Sequence, residues 1–162
     1  MDDFEIRIDK DGLWYYKGAH MFRKDILSIF YEHLRVDDSG RYLIELGPEC
    51  CYLAVEDTVF VIAAVFKTKN PDNGQDRIEI LLNDDTCEIL NLNSLRTGKD
   101  NVLYCRVKAG KFTARFSRKG YYQLAEFIEP SEDDNRFFIS LNGQKYFIRE
   151  IQDSDKCPTT PS

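Results

Sequence analysis

The chain has 162 residues, 43% of them hydrophobic and 31% charged, which is a globular balance rather than a disordered one. A formal net charge of −6 and a pI near 5.0 argue against duplex nucleic acid as a partner, because an acidic surface repels phosphate backbones. No apolar run approaches the ~20 residues of a membrane span, and Met1-Asp2-Asp3-Phe4 lacks a signal-peptide core. The expectation is a soluble cytoplasmic protein of one domain or two small ones.

Residues 5–8 alternate as a half-buried strand does, Asp9-Lys10-Asp11-Gly12 reads as a turn, and Leu13-Trp14-Tyr15-Tyr16 is the return strand. From 24 to 35 the period changes. Ile26, Leu27, Ile29, Phe30 and Leu34 recur at three- and four-residue spacing, which predicts a helix. Residues 41–46 and 50–55 form a second hairpin across Gly47-Pro48-Glu49. Val59–Phe66, 78–82 and 87–90 read as three further strands, with a strong turn at Asn70-Pro71-Asp72-Asn73-Gly74. Residues 92–101 read as polar loop. Strands over 102–107 and 111–116, a helix over 119–128 and a hairpin across Asn142-Gly143 follow, and 152–162 reads as a frayed tail.

The segment 102–150 repeats the pattern of 5–55. Arg23 matches Arg118 and Arg41 matches Arg136, both at a spacing of 95 (118 − 23 and 136 − 41). Lys24 meets Lys119, Asp38 meets Asp133, Ile44 meets Ile139 and Leu46 meets Leu141 at the same spacing. Self-similarity at a fixed spacing is how a repeat shows in sequence. The expected fold is therefore α+β, two related ββαββ-type halves with mostly antiparallel sheet. The boundaries fall at 1–57, 58–151 with its second copy over 102–150, and the tail 152–162.

Arg-Lys at both expected helix starts opposes the partial positive charge of a helix N-terminus. One reading is an anion pocket, with exposed N–H groups, guanidinium and ammonium holding a phosphate or carboxylate. The other is internal pairing, each Arg meeting a carboxylate such as Glu56 or Asp57. Ser117 is a fair N-cap for the second helix. Trp14 either covers a core edge or stacks on a ring.

Catalysis and cofactors find little support. Two histidines, His20 and His33, do not make a metal site, and no P-loop, Gly-x-Ser-x-Gly or dinucleotide fingerprint is present. The five cysteines, Cys50, Cys51, Cys87, Cys105 and Cys157, are odd in number and lack Cys-x-x-Cys spacing, so neither a disulfide framework nor zinc is expected. Cys105 stands beside Arg106, which can lower a thiol pKa, but its strand position favours a buried, inert thiol.

Ile6-Arg7-Ile8-Asp9-x-Asp11-Gly12-x-Trp14, then Arg23, Asp38-x-Gly40-x-Tyr42-Leu43 and Val55-Glu56-Asp57-x-x-Phe60 resemble the uncharacterised bacterial family called domain of unknown function 1285. The run Arg106…Gly110…Ala114-Arg115…Tyr122-x-Leu124-Ala125-Glu126 is similar to its C-terminal half. The resemblance spans about residues 4–148. It implies two related α+β halves, the second superficially similar to a pleckstrin-homology domain, a site for a nucleotide-like ligand where the halves meet, and a role in signal transduction. The family's longer N-terminal lead-in is short here, and its Glu-Asp-Ala-Pro-Phe is Glu56-Asp57-Thr58-Val59-Phe60.

The expected function is a ligand-binding or sensory module, not an enzyme. Arg23, Lys24, Arg118 and Lys119 hold the anionic group of a small molecule, Arg106 or Arg115 adds charge, Trp14 stacks, and Glu56 and Asp57 supply acidic partners. The rival expectation is a protein-interaction adaptor without a small ligand.

Overall fold

The computed structural model describes residues 4–133 and 135–150. The chain divides after Val59 into two compact units, two residues beyond the expected boundary. The tail 152–162, with Cys157, lies outside the described residues.

In the first unit, β1 (Ile6–Ile8) and β2 (Trp14–Tyr16) form the expected hairpin. The Asp9 carboxylate nucleates it, accepting from the N–H of Asp11 and Leu13 at 2.9 and 3.0 Å, while Gly12 supplies φ +81°. A short third strand, β3 (Ala19–Met21), pairs antiparallel with β2. Helix α1 (Lys24–Glu32) follows, then β4 (Leu34–Val36), β5 (Tyr42–Leu46) and β6 (Glu49–Val55). The sheet runs β3-β2-β1-β6-β5-β4, with β1 parallel to β6 and its other pairs antiparallel. Ile6, Ile8, Trp14, Leu34, Leu43, Ile44 and Leu53 are its core.

The second unit opens with β7 (Phe60–Lys69), β8 (Asp76–Leu82) and β9 (Cys87–Ile89). Residues 92–101, expected as loop, hold two short 3-10 turns around a strand, β10 (Arg96–Thr97). Next come β11 (Leu103–Val107), β12 (Phe112–Phe116), α2 (Arg118–Ala125), the meander β13 (Ile128–Pro130), β14 (Phe137–Leu141) and β15 (Gln144–Phe147), and β16 (Arg149–Glu150). Seven strands pair in the order β16-β10-β11-β12-β7-β8-β9, with β10–β16 and β7–β12 parallel. A helix crossing on β7 seals this core. Gln123 Oε1 accepts the Val65 N–H at 2.7 Å, and the Ile62 carbonyl accepts the Ser117 N–H at 3.0 Å. At the far end the Lys108 ammonium reaches Asp84 (2.8 Å) and Thr86 (3.0 Å) and lies over the Phe60 ring, tying two turns together.

Both helices are shorter than their periodicity predicts. His33 closes α1, its N–H donating to the carbonyls of Ile29 and Phe30, and Leu34 then pairs with Ile44 as a strand residue only 4% exposed. Ile128 likewise leaves the helical register to pair with Ile139. In both places an apolar residue that continues the helical period is taken into a sheet, Leu34 buried and Ile128 half-buried, and strand pairing outweighs local preference.

Candidate anion-binding face and an adjoining groove

The residues singled out at the helix starts do not occupy equivalent positions. Arg23 is the N-cap of α1, whereas Ser117 caps α2 and accepts the Gly120 N–H at 3.0 Å, so Arg118 is already the first helical residue. The two Arg-Lys pairs are therefore one helix position out of step. The Arg23 guanidinium is committed to Asp25 through two bonds of 3.2 and 2.6 Å, both side chains largely exposed. That hydrogen bonding holds the Asp25 carboxyl below the usual carboxylate range. Lys24, Arg118 and Lys119 are exposed. Arg118 and Lys119 line a shallow surface depression with Tyr122, Gln123 and Glu126.

Trp14 is 1% exposed, packed edge-on against Tyr31 with ring centroids 5.1 Å apart, and its indole N–H donates to the Tyr31 hydroxyl at 2.8 Å. It is a core residue with its polar handle satisfied, and it offers no face for stacking a ligand. Glu56 accepts the Lys10 N–H at 3.2 Å and, with Arg7, Asp9 and Tyr15, borders a small depression of the first unit. Asp57 is half-buried. Cys105 is buried, and burial followed by the nearby Glu88 pushes its thiol up, outweighing the opposite pull of Arg106. Among the described residues no group of three His, Cys, Asp or Glu is placed to hold a metal.

The register of the second sheet assembles a different constellation. Arg149 pairs with Arg96, Arg96 with Tyr104, and Tyr104 with Arg115, one row across β16, β10, β11 and β12. Residues opposite one another in a ladder share a face, and residues two apart on a strand return to it. Arg106, paired with Thr113, therefore belongs to the same face. The other face carries Leu103, Cys105, Val107, Ala114 and Phe116, all buried. One polar sheet face thus bears Arg96, Arg106, Arg115 and Arg149 around Tyr104. Arg106 is spent on its own hairpin, donating to the Gly110 carbonyl (3.2 and 2.7 Å) and the Thr113 hydroxyl (2.6 Å). The side chains of Arg96 and Arg149 make no hydrogen bond or ion pair among the described residues.

Strand β16 also borders a groove of this unit of about 1050 Å³. Its lining includes Asn93, Asn101, Tyr121, Arg136, Lys145 and Tyr146. The Arg136 guanidinium lies over Phe147 at 4.1 Å and the Lys145 ammonium over Phe138 at 4.8 Å. Sequence reasoning singled out Arg106 and Arg115 but missed Arg96 and Arg149. Arg96 falls in a stretch read as loop and Arg149 in a two-residue edge strand. Arg96 joins the face by pairing with Tyr104 in the next strand, and Arg149 by pairing with Arg96 about fifty residues before it.

The fold and this face define an α+β protein of two strand-rich units, each with one helix, the second carrying a cluster of arginines. Residues 1–58 match the family model described as domain of unknown function (DUF1285), N-terminal domain. The match spans nearly all of the first unit and is to the family that the residues quoted above resemble. The structure is similar to a DUF1285 family protein from Silicibacter pomeroyi DSS-3 (TM-score 0.72, 21% identity, 94% of this chain and 82% of that one). It is also similar to one from Shewanella baltica OS155 (TM-score 0.59, 18% identity, 75% and 91%). No curated protein matches the chain.

Proposed function

We propose that this chain is a cytoplasmic ligand-binding module of a sensory kind, not an enzyme, and that its ligand is an anionic, nucleotide-like small molecule. The observation that carries the reading is the arginine face of the second unit. A chain with 28 acidic and 22 basic residues gathers four arginines on one small sheet face, and guanidinium groups match phosphate and carboxylate geometry. Arg149 alone of the four also lines the groove, which opens toward the other face with Thr97 and Leu103 and offers tyrosine rings and side-chain amides suited to the ring of such a ligand. Arg118 and Lys119 add flanking charge, Arg118 standing one helical turn before Tyr121 of the groove. A role in signal transduction belongs to the same reading.

We further propose that the two units descend from a duplication. Leu43 pairs with Tyr52 and Phe138 with Phe147 in the same register, 95 residues apart, and Arg41 lies over Tyr52 (4.3 Å) as Arg136 lies over Phe147 (4.1 Å). A hairpin, a helix and a three-stranded meander follow in the same order in both. The likeness of the second unit to a pleckstrin-homology domain is proposed only as strand-rich sheet with one helix, since its two parallel pairings depart from an up-and-down meander.

A thermal-shift screen of the purified chain against nucleotides and phosphorylated metabolites tests the function. A ligand at ~100 times its dissociation constant adds about 2.7 kcal/mol of stability, and pyrophosphate should compete with it. A hit indifferent to pyrophosphate would refute the anionic reading. A flat screen with a cooperative melt favours the adaptor, whose docking edge would be β9, a sheet-edge strand with Ile89 53% exposed.

A further inference from the structure

We infer that Arg96 and Arg149 form a clamp for a phosphate or pyrophosphate group. This inference deepens the anion-binding reading above and rests on it. The two residues are direct partners in the parallel ladder of β10 and β16. Cross-strand partners bring their Cβ atoms within roughly 5 Å, and like charges placed so are destabilising unless something neutralises them. Nothing in the described chain does so. Neither side chain has a hydrogen-bond or ion-pair partner among the described residues, although the same unit pairs its other cations readily, Lys69 with Asp76 at 2.8 Å and Lys108 with Asp84 at 2.8 Å.

The backbone holds the arrangement firmly. The Arg149 N–H donates to the Leu95 carbonyl at 3.3 Å, and Leu95 is 1% exposed. Arg96 is half-buried, and its other ladder partner, Tyr104, is half-buried beside it. Two neighbouring guanidiniums, each a planar fork of donors, suit a tetrahedral anion with several oxygens better than a single carboxylate. A dianion neutralises both charges at once, so binding should strengthen with ligand charge in the order acetate, inorganic phosphate, pyrophosphate.

The clamp has a signature that a purely structural pair of arginines lacks. Removing one guanidinium relieves repulsion in the free protein but removes half of the anion site. In anion-free buffer of fixed ionic strength, Arg149→Gln should melt at the wild-type temperature or slightly above it. With pyrophosphate added, the wild-type melting point should rise while that of Arg149→Gln stays nearly flat. By titration calorimetry, each lost cation should weaken pyrophosphate about tenfold, the worth of one charge-assisted hydrogen bond of roughly 1.5 kcal/mol. Arg96→Gln should behave alike, and Arg35→Gln, at an ion pair of the first unit, should retain wild-type binding. If pyrophosphate binds the wild type and both variants equally, the clamp is overturned while anion binding elsewhere in the chain survives. If no anion shifts the wild-type melt at any concentration, the clamp and the anion-binding reading fall together.

Discussion

Gly120 decides how closely α2 sits on β7, and replacing it tests that packing with a sign opposite to local expectation. Alanine in place of a helical glycine is normally favourable by about 0.5–1 kcal/mol, because it restricts the unfolded chain. Here a Cβ would lie 2.8 Å from the Ile62 carbonyl oxygen and 3.3 Å from Ser117 Oγ. Neither neighbour is a loose side-chain end. The Ile62 carbonyl belongs to a fully buried residue and accepts the Ser117 N–H, and Ser117 Oγ is the helix cap. To admit the methyl group, the helix start must lift from β7, straining the cap and the Gln123–Val65 bond one turn on. Overpacking of this kind costs about 1–3 kcal/mol and a weakened cap about 1 kcal/mol. Net of the propensity gain, Gly120→Ala should lose about 2 kcal/mol, a fall of about 4–8 °C in Tm for a chain of this size. Circular-dichroism melts read it, with Tyr122→Ala, at a side chain 63% exposed on the same helix, as the control that should move little. A Tm for Gly120→Ala equal to or above that of the wild type would refute the packing argument.

Two other perturbations follow from the geometry. Lys108→Met should cost about 2 kcal/mol in urea unfolding, because it strands the Asp84 carboxylate, whose side chain is 7% exposed, with only Thr86 beside it; an unchanged midpoint would show the pair to be inert. Asp37 takes hydrogen bonds from the N–H of Arg41, the Tyr52 hydroxyl and the N–H of Ser39, which hold its carboxyl below 3.8. A depressed folded-state pKa gives stability that is present above the unfolded value and is lost as pH falls through the folded one. The Tm advantage of the wild type over Asp37→Asn should therefore be constant from pH 7 to about 5 and shrink below 3.8; an advantage that grew on acidification would contradict this.

Much of the fold was legible locally. Asp9 and Gly12 carry the first turn in side-chain chemistry and backbone freedom that any neighbour would leave intact. The alternation of 103–107 named its buried face, and Ser117 capped the helix it precedes. Arg41 and Arg136, matched by spacing alone, lie over aromatic rings at matching positions of their hairpins. Helix ends were not legible, because Leu34 and Ile128 fit a helical period equally well until a sheet partner claims them.

The sequence by itself determined the α+β class, the turns and the apolar faces, since each rests on residues near one another in the chain. Only the tertiary structure decided which charges stand together. Trp14 was drawn into the core by Tyr31, whereas Arg23 met a carboxylate only two residues away. Arg96, Arg115 and Arg149 came to one face through strand pairings whose partners are set by burial of the opposite face. Charge clustering is a consequence of register, and register is fixed by the whole core at once.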